Sequence, residues 1–258
     1  MQVTMELLKN SLVVLLLSFI FILPVNAQDK SNFNPTYDYV WIKEPTPLYY
    51  DEDCTNSTTN IYEPKTKLIR EGIGISIDKV KDSGLTLYIP KDKITNDLGQ
   101  FTWDFEIEGN IYNQSIEIVD YYYKKIPEKI LNLFKENKWK LVLTDKTLGE
   151  DVQGLTVFNE KTIYLFNNGE YLKDAVFHEF GHFFDNINND LSLTIEFQSI
   201  YEEENSKLFF IDETLMENAK TNSAEYFAEI FQQYFLNRNS LKNYCPLSFK
   251  FIKEKMED

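Results

Sequence analysis

The chain has 258 residues and a formal net charge of −15, with two arginines, Arg70 and Arg238. Without a basic cluster or an arginine–aromatic strip, such a surface is a poor partner for nucleic acid or an anionic membrane. The length suits one large domain or two small ones, and 20 phenylalanines and 16 tyrosines supply material for a sizeable core.

Met1–Lys9 is short and polar, and Ser11–Val25 is almost wholly apolar. That apolar run is short for a membrane span, and Val25-Asn26-Ala27 sets small residues before Gln28. The pattern predicts a secretory signal peptide over residues 1–27, cleaved after Ala27. It implies a secreted protein without integral membrane association after cleavage. The alternative is an uncleaved N-terminal anchor. No cysteine lies at the cleavage point, so a lipid-modified N-terminus is not expected.

Gln28–Pro35 is polar and reads as loose chain. From Tyr37 to Phe105 short apolar runs are split by turn residues: Tyr39–Ile42, Pro47–Tyr50, Ile73–Ile77, Leu85–Ile89 and Phe101–Trp103, with Asp51–Asn60 read as a loop. Alternation of this kind predicts a small β-rich accessory domain over residues 28–110. On pattern alone it loosely resembles a bacterial SH3-like module. It can place the rest of the chain on a surface or a substrate.

From Ile111 the period becomes helical. Ser115–Lys125 carries Ile116, Val119 and Tyr122 or Tyr123, and Pro127 opens a second helix over Glu128–Lys135. Trp139–Thr144 reads as a strand. Leu155–Phe158 and Thr162–Phe166 flank Asn159-Glu160-Lys161 as a hairpin. Asn168-Gly169 then leads into a helix. Cys54 and Cys245 are the two cysteines, and spacing does not show whether they pair.

That helix carries both histidines of the chain, in His178-Glu179-Phe180-Gly181-His182. H-E-x-x-H at helical spacing puts two imidazoles about 40° apart on one face, where both can meet one zinc. Ala175 and Asp185 share that face, and Leu172, Val176, Phe180, Phe183 and Ile187 form the apolar side. Glu179 stands beside the imidazoles, placed to take a proton from water. Gly181, costly inside a helix, suggests close approach of another segment.

A catalytic zinc needs a third protein ligand, and no third histidine exists. The segment Thr221-Asn222-Ser223-Ala224-Glu225-Tyr226-Phe227-Ala228-Glu229 begins an amphipathic helix with Phe227, Ile230, Phe231 and Tyr234 on its core side. Glu225 and Glu229 share the other side. One can ligate zinc while the other receives the N–H of a ligating histidine. The competing reading makes Asn222 and Glu225 a helix cap and Glu229 a solvated charge.

The two segments together resemble the metalloprotease domain of anthrax lethal factor and the secreted clostridial Pro-Pro endopeptidases. Ile130–Lys135 running into Trp139–Leu143 is similar as well, as are Tyr234–Asn237, Cys245-Pro246 and Phe249. The resemblance spans residues 111–258. It implies an α+β zincin-like metalloprotease domain holding one zinc ion, with His178, His182 and Glu225 as ligands and Glu179 as general base. It implies Glu229 as a carboxylate that orients His178. Asp185, by its place on the imidazole face, is a further candidate for supporting the ligands. Two departures stand out. The family's oxyanion-stabilising tyrosine, seven residues before the glutamate ligand, is Asn218 here, an amide that can still donate. The link between Trp139–Thr144 and the zinc helix is short, without the tryptophan-bearing insert that shapes a proline pocket in the Pro-Pro enzymes.

The expected function is that of a secreted bacterial zinc endopeptidase acting on extracellular or host proteins or peptides. The rival readings are a catalytically weak lethal-factor-like binding module and a zinc-stabilised surface or adhesion protein.

Overall fold

The computed structural model of the chain describes residues 34–147, 152–167, 169, 171–211 and 216–257. The leader expected over residues 1–27 and Asn168 of the expected turn lie outside them. The chain divides into two compact units, Met1–Asn96 and Asp97–Asp258.

In the first unit, β1 (Asn34–Ile42), β2 (Thr46–Tyr49), β3 (Ser57–Tyr62), β4 (Lys67–Ile73), β5 (Ile77–Asp82), β6 (Leu85–Pro90) and β7 (Ile94–Thr95) form one sheet. Its order is β3-β2-β6-β5-β4-β1-β7, with every pairing antiparallel. Alternate residues point inward and bury Val40, Ile42, Leu48, Leu68, Val80, Leu87 and Ile89 in one cluster. Ser83 and Gly84 both take positive φ, the two-residue turn whose twist matches a β5–β6 hairpin. One arginine of the pair lies inside this unit. Arg70 is held by Asp38 (Nε to Oδ1, 2.7 Å) and by the buried Asp78 (3.2 Å).

The sequence expectation differs here at two places. Ser57–Asn60, read as loop, is most of β3, an exposed edge strand that needs no apolar face. Gly74–Ser76 is not the middle of a strand but the bend between β4 and β5, closed by the Gly74 N–H to the Ile77 carbonyl (3.1 Å).

The second unit starts before the boundary expected at residues 110 and 111. Glu106–Glu108 forms β8, paired in parallel with β9 (Lys140–Thr144) at Ile107 and Leu143. Phe101–Trp103 is not a strand. Its rings pack as an aromatic run, Trp103 stacking on Phe105 at 5.8 Å, and the Trp103 indole donates to the Leu98 carbonyl (3.0 Å). With β10 (Gly154–Val157) and β11 (Thr162–Phe166), the sheet order is β10-β11-β9-β8. β11 runs parallel to β9, while β10 folds back antiparallel and forms an edge. The turn between them puts Lys161 at φ 52°, as a tight hairpin requires.

The helices of this unit are α1 (Asn113–Tyr123), α2 (Glu128–Glu136), α3 (Leu172–Ile187), α4 (Ile195–Glu204), α5 (Met216–Ala219), α6 (Ser223–Leu236), α7 (Arg238–Tyr244) and α8 (Pro246–Glu257). Phe180 and Phe183 of α3 meet Phe134 of α2 at 4.9 and 5.0 Å, and Trp139 meets Phe183 at 5.2 Å. Each fully buried ring stabilises the packing by roughly 1.5–3 kcal/mol relative to exposure. On its other flank α3 packs on α6 through Phe184 and Phe231 (5.5 Å). Glu204, wholly buried, accepts the Ser248 N–H (2.9 Å) and so caps α8 from the end of α4. No helix among the described residues is long and apolar enough to cross a membrane. Cys54, in the first unit, and the buried Cys245, in the second, are free.

Candidate metal centre and catalytic cleft

α3 and α6 touch at Gly181. A Cβ there would lie 2.8 Å from the Ala228 Cα, so the close approach expected of Gly181 is made by the backbone of α6. This contact sets the spacing that brings the polar sides of the two helices together. α6 is capped by Asn222, whose side chain accepts from the N–H groups of Ala224 (2.9 Å) and Glu225 (3.0 Å). The cap belongs to Asn222, and the Glu225 carboxylate is left for the imidazoles.

Glu225 Oε2 lies 3.3 Å from His178 Nε2 and 3.6 Å from His182 Nε2, and the two Nε2 atoms are 3.1 Å apart. On the far side of the His178 ring, Nδ1 lies 3.3 Å from Glu229 Oε1. Glu229 is buried, and its carboxylate there favours the proton on Nδ1. That leaves Nε2 of His178 as a bare lone pair facing a carboxylate oxygen and a second imidazole. Three such donors repel one another unless a cation or a proton stands among them. Burial on its own would lower the His178 pKa, but hydrogen bonds to Glu225 and Glu229 raise it to about 10. The same hydrogen bonds from His178 and His182 hold the Glu225 carboxyl well below its usual range.

The donor set fits zinc. Tetrahedral bonds of about 2.0–2.1 Å place ligand atoms about 3.3 Å apart. The observed separations of 3.1, 3.3 and 3.6 Å straddle that value, and His178, His182 and Glu225 form one group of possible ligands.

Glu179 is only 5 % exposed. Its Oε2 accepts a hydrogen bond from Thr156 Oγ1 of β10 (2.7 Å). Around these residues opens a cleft of about 910 Å³. Tyr122, Leu155, Phe158 and Tyr171 give it apolar wall, and Gln153, Gln232 and Asn237 give it amides.

Of the residues expected at the site, the geometry brings His178, Glu179, His182, Glu225 and Glu229 together. Asp185 is turned toward the segment after α3. Its carboxylate is engaged by the N–H and hydroxyl of Ser192 (2.6 Å each) and pins the chain after α3. It lies two turns from His178 and one from His182, and its hydrogen bonds among the described residues go to Ser192 and not to an imidazole. Asn218 falls on α5, and its side chain lies outside the described residues. Sequence reasoning missed Thr156 and Gly154, which face Glu179 from the strand. Their one signal was the G-x-T alternation at the start of the hairpin.

Comparison with curated proteins found no match. Among solved structures, the Pro-Pro endopeptidase from Paenibacillus alvei is similar at 23 % identity and a TM-score of 0.46, covering 58 % of this chain and 96 % of that one. Residues 157–255 match the family model described as anthrax toxin lethal factor, N- and C-terminal domain. The matched stretch carries both His178–His182 and Thr221–Glu229, the two motifs on which the resemblance was read, and so agrees with that resemblance over those residues.

Proposed function

We propose that the chain is a zinc-dependent endopeptidase. The observation that carries this reading is the convergence of three donor atoms beside one buried carboxylate, inside an open cleft. His178, His182 and Glu225 would hold the metal. Zinc bound there would supply Lewis acidity toward a substrate carbonyl and toward water. Glu179 then accepts a proton from the attacking water and returns it to the departing amine. Glu229 keeps the proton of His178 on Nδ1, so that Nε2 stays available.

Of the two border strands of the sheet, β10 is the one that lines the cleft. Its hairpin partner β11 is enclosed between β10 and β9. An extended peptide adding to β10 runs past Glu179 along the cleft.

The adhesion alternative needs a closed, four-coordinate metal. Three candidate ligands facing a cleft of this size suit an open position instead. The binding-module alternative leaves the buried, hydrogen-bonded Glu179 without a task. Secretion rests on the sequence of residues 1–27, and exported protein should begin at Gln28 on N-terminal sequencing.

The test is digestion of an unbiased peptide library with and without chelator. We expect cleavage that chelator abolishes and added zinc restores. Absence of any cleavage by zinc-loaded protein would favour the binding module, and chelator-resistant cleavage would remove the metal from the mechanism.

A further inference from the structure

β10 turns alternate residues to opposite sides, so Gly154 and Thr156 share the face that meets α3, while Leu155, 42 % exposed, points the other way. Both residues touch Glu179. Thr156 Oγ1 lies 2.7 Å from Glu179 Oε2 and 3.3 Å from the Glu179 carbonyl oxygen. A hydroxyl has one proton to donate, and the shorter, charge-assisted contact takes it. Among the described residues this is the one hydrogen bond recorded for that carboxylate. Gly154 supplies the space. A Cβ at that position would stand 2.7 Å from Glu179 Cγ and Oε1 and 3.0 Å from Cδ. A side chain there would push the carboxyl arm out of its seat.

We infer that Thr156 is a positioning residue, whose hydroxyl fixes the direction of the Glu179 carboxylate in a socket kept open by Gly154. The inference rests on the peptidase reading and adds to it. A glutamate side chain has three rotatable bonds, and α3 anchors only its Cα. The strand removes the remaining freedom. A base must lie within hydrogen-bond reach of the proton it takes, and a misplacement of about 1 Å can cost on the order of 10²-fold in rate. Thr156 reaches Glu179 with its side chain and donates with its only proton, so it acts on the reaction through Glu179.

The test compares Thr156→Val, which keeps the shape and removes the donor, with Thr156→Ser, which keeps the donor. On a cleaved peptide, Thr156→Val should lower kcat by about 10- to 100-fold with KM and zinc content unchanged. Thr156→Ser should recover most of the loss. In a Glu179→Ala background Thr156→Val should cost nothing further, because the group it positions is gone. A crystal structure of zinc-loaded Thr156→Val should show the Glu179 carboxylate in more than one orientation, against one in the parent. An unchanged or raised kcat overturns the proposal. So does a change confined to KM, which would make Thr156 a substrate contact, or an equal loss in the Glu179→Ala background. A single, unmoved Glu179 in the variant crystal also overturns it, whatever the turnover. If the parent protein cleaves nothing, the peptidase reading fails, and the crystallographic comparison alone decides whether Thr156 positions Glu179.

Discussion

Two walls meet at Glu179, and they are built on opposite plans. The α3–α6 wall is a set of charged and polar groups that define one another. His178 reaches Glu225 on one side and Glu229 on the other, and His182 shares Glu225. Behind them, Phe184 and Phe231 fix the helices. The β10 wall is small: a glycine, a hydroxyl and a strand that lies at the sheet's border among the described residues. On the peptidase reading the contrast has a reason: a metal needs fixed points, which suits the dense wall, and a substrate needs room and a strand edge, which suits the sparse one.

Substitutions should therefore separate by wall. The largest effect belongs to Glu225→Ala, which removes a direct metal bond. Metal analysis after dialysis at neutral pH should find the zinc gone, and turnover with it. Full retention would show that Glu225 is only part of the helix end. Glu179→Ala should lower turnover by about 10²–10⁴-fold, the usual contribution of a general base. Zinc content and thermal stability should stay close to the parent. Comparable turnover in that variant would refute the mechanism. Glu229→Ala should weaken zinc binding or activity by about 10–100-fold, the common cost of losing the group that orients a ligating histidine. Competition with a chromophoric chelator measures it, and a greater loss than in Glu225→Ala would exchange the two roles.

The smallest effect is expected at Asn218, outside both walls as described. We propose that it stands in weakly for an oxyanion donor. Asn218→Tyr should then raise kcat at constant zinc affinity, by well under the roughly 10²–10³-fold that a whole donor contributes, because the amide already supplies part of it. No change in kcat would show that this position does not limit the reaction.

The dense wall was the legible one. Metal ligation restricts residue types and spacings along a helix, so His178, His182 and Glu179 stood out locally. Glu225 and Glu229 followed from the need for one more ligand and a partner for its neighbour. The sparse wall left no comparable mark. Thr156 meets Glu179 across 23 residues, and only the turn at Lys161 and the parallel pairing of β11 with β9 bring it there. Strands failed for a related reason. β3 is polar because it lies exposed at an edge, and β8 is three residues long and recognised only by its partner β9. Asp185 shows the reverse error. Its helical face was read correctly, but the donors it accepts from are the N–H and hydroxyl of Ser192, which lies beyond the end of the helix.

The Gly181–Ala228 contact makes the metal site adjustable from a position that touches no ligand. The obstacle facing residue 181 is the Cα of Ala228, which no trimming of side chains can remove. Any larger residue at 181 has to translate α6 as a body, and Glu225 travels with it, three residues before Ala228 on the same helix. A graded series at this position, from glycine through alanine to serine, would act as a set of spacers. It would widen the gap between the carboxylate and the two imidazoles by steps while leaving the identity of every donor residue unchanged.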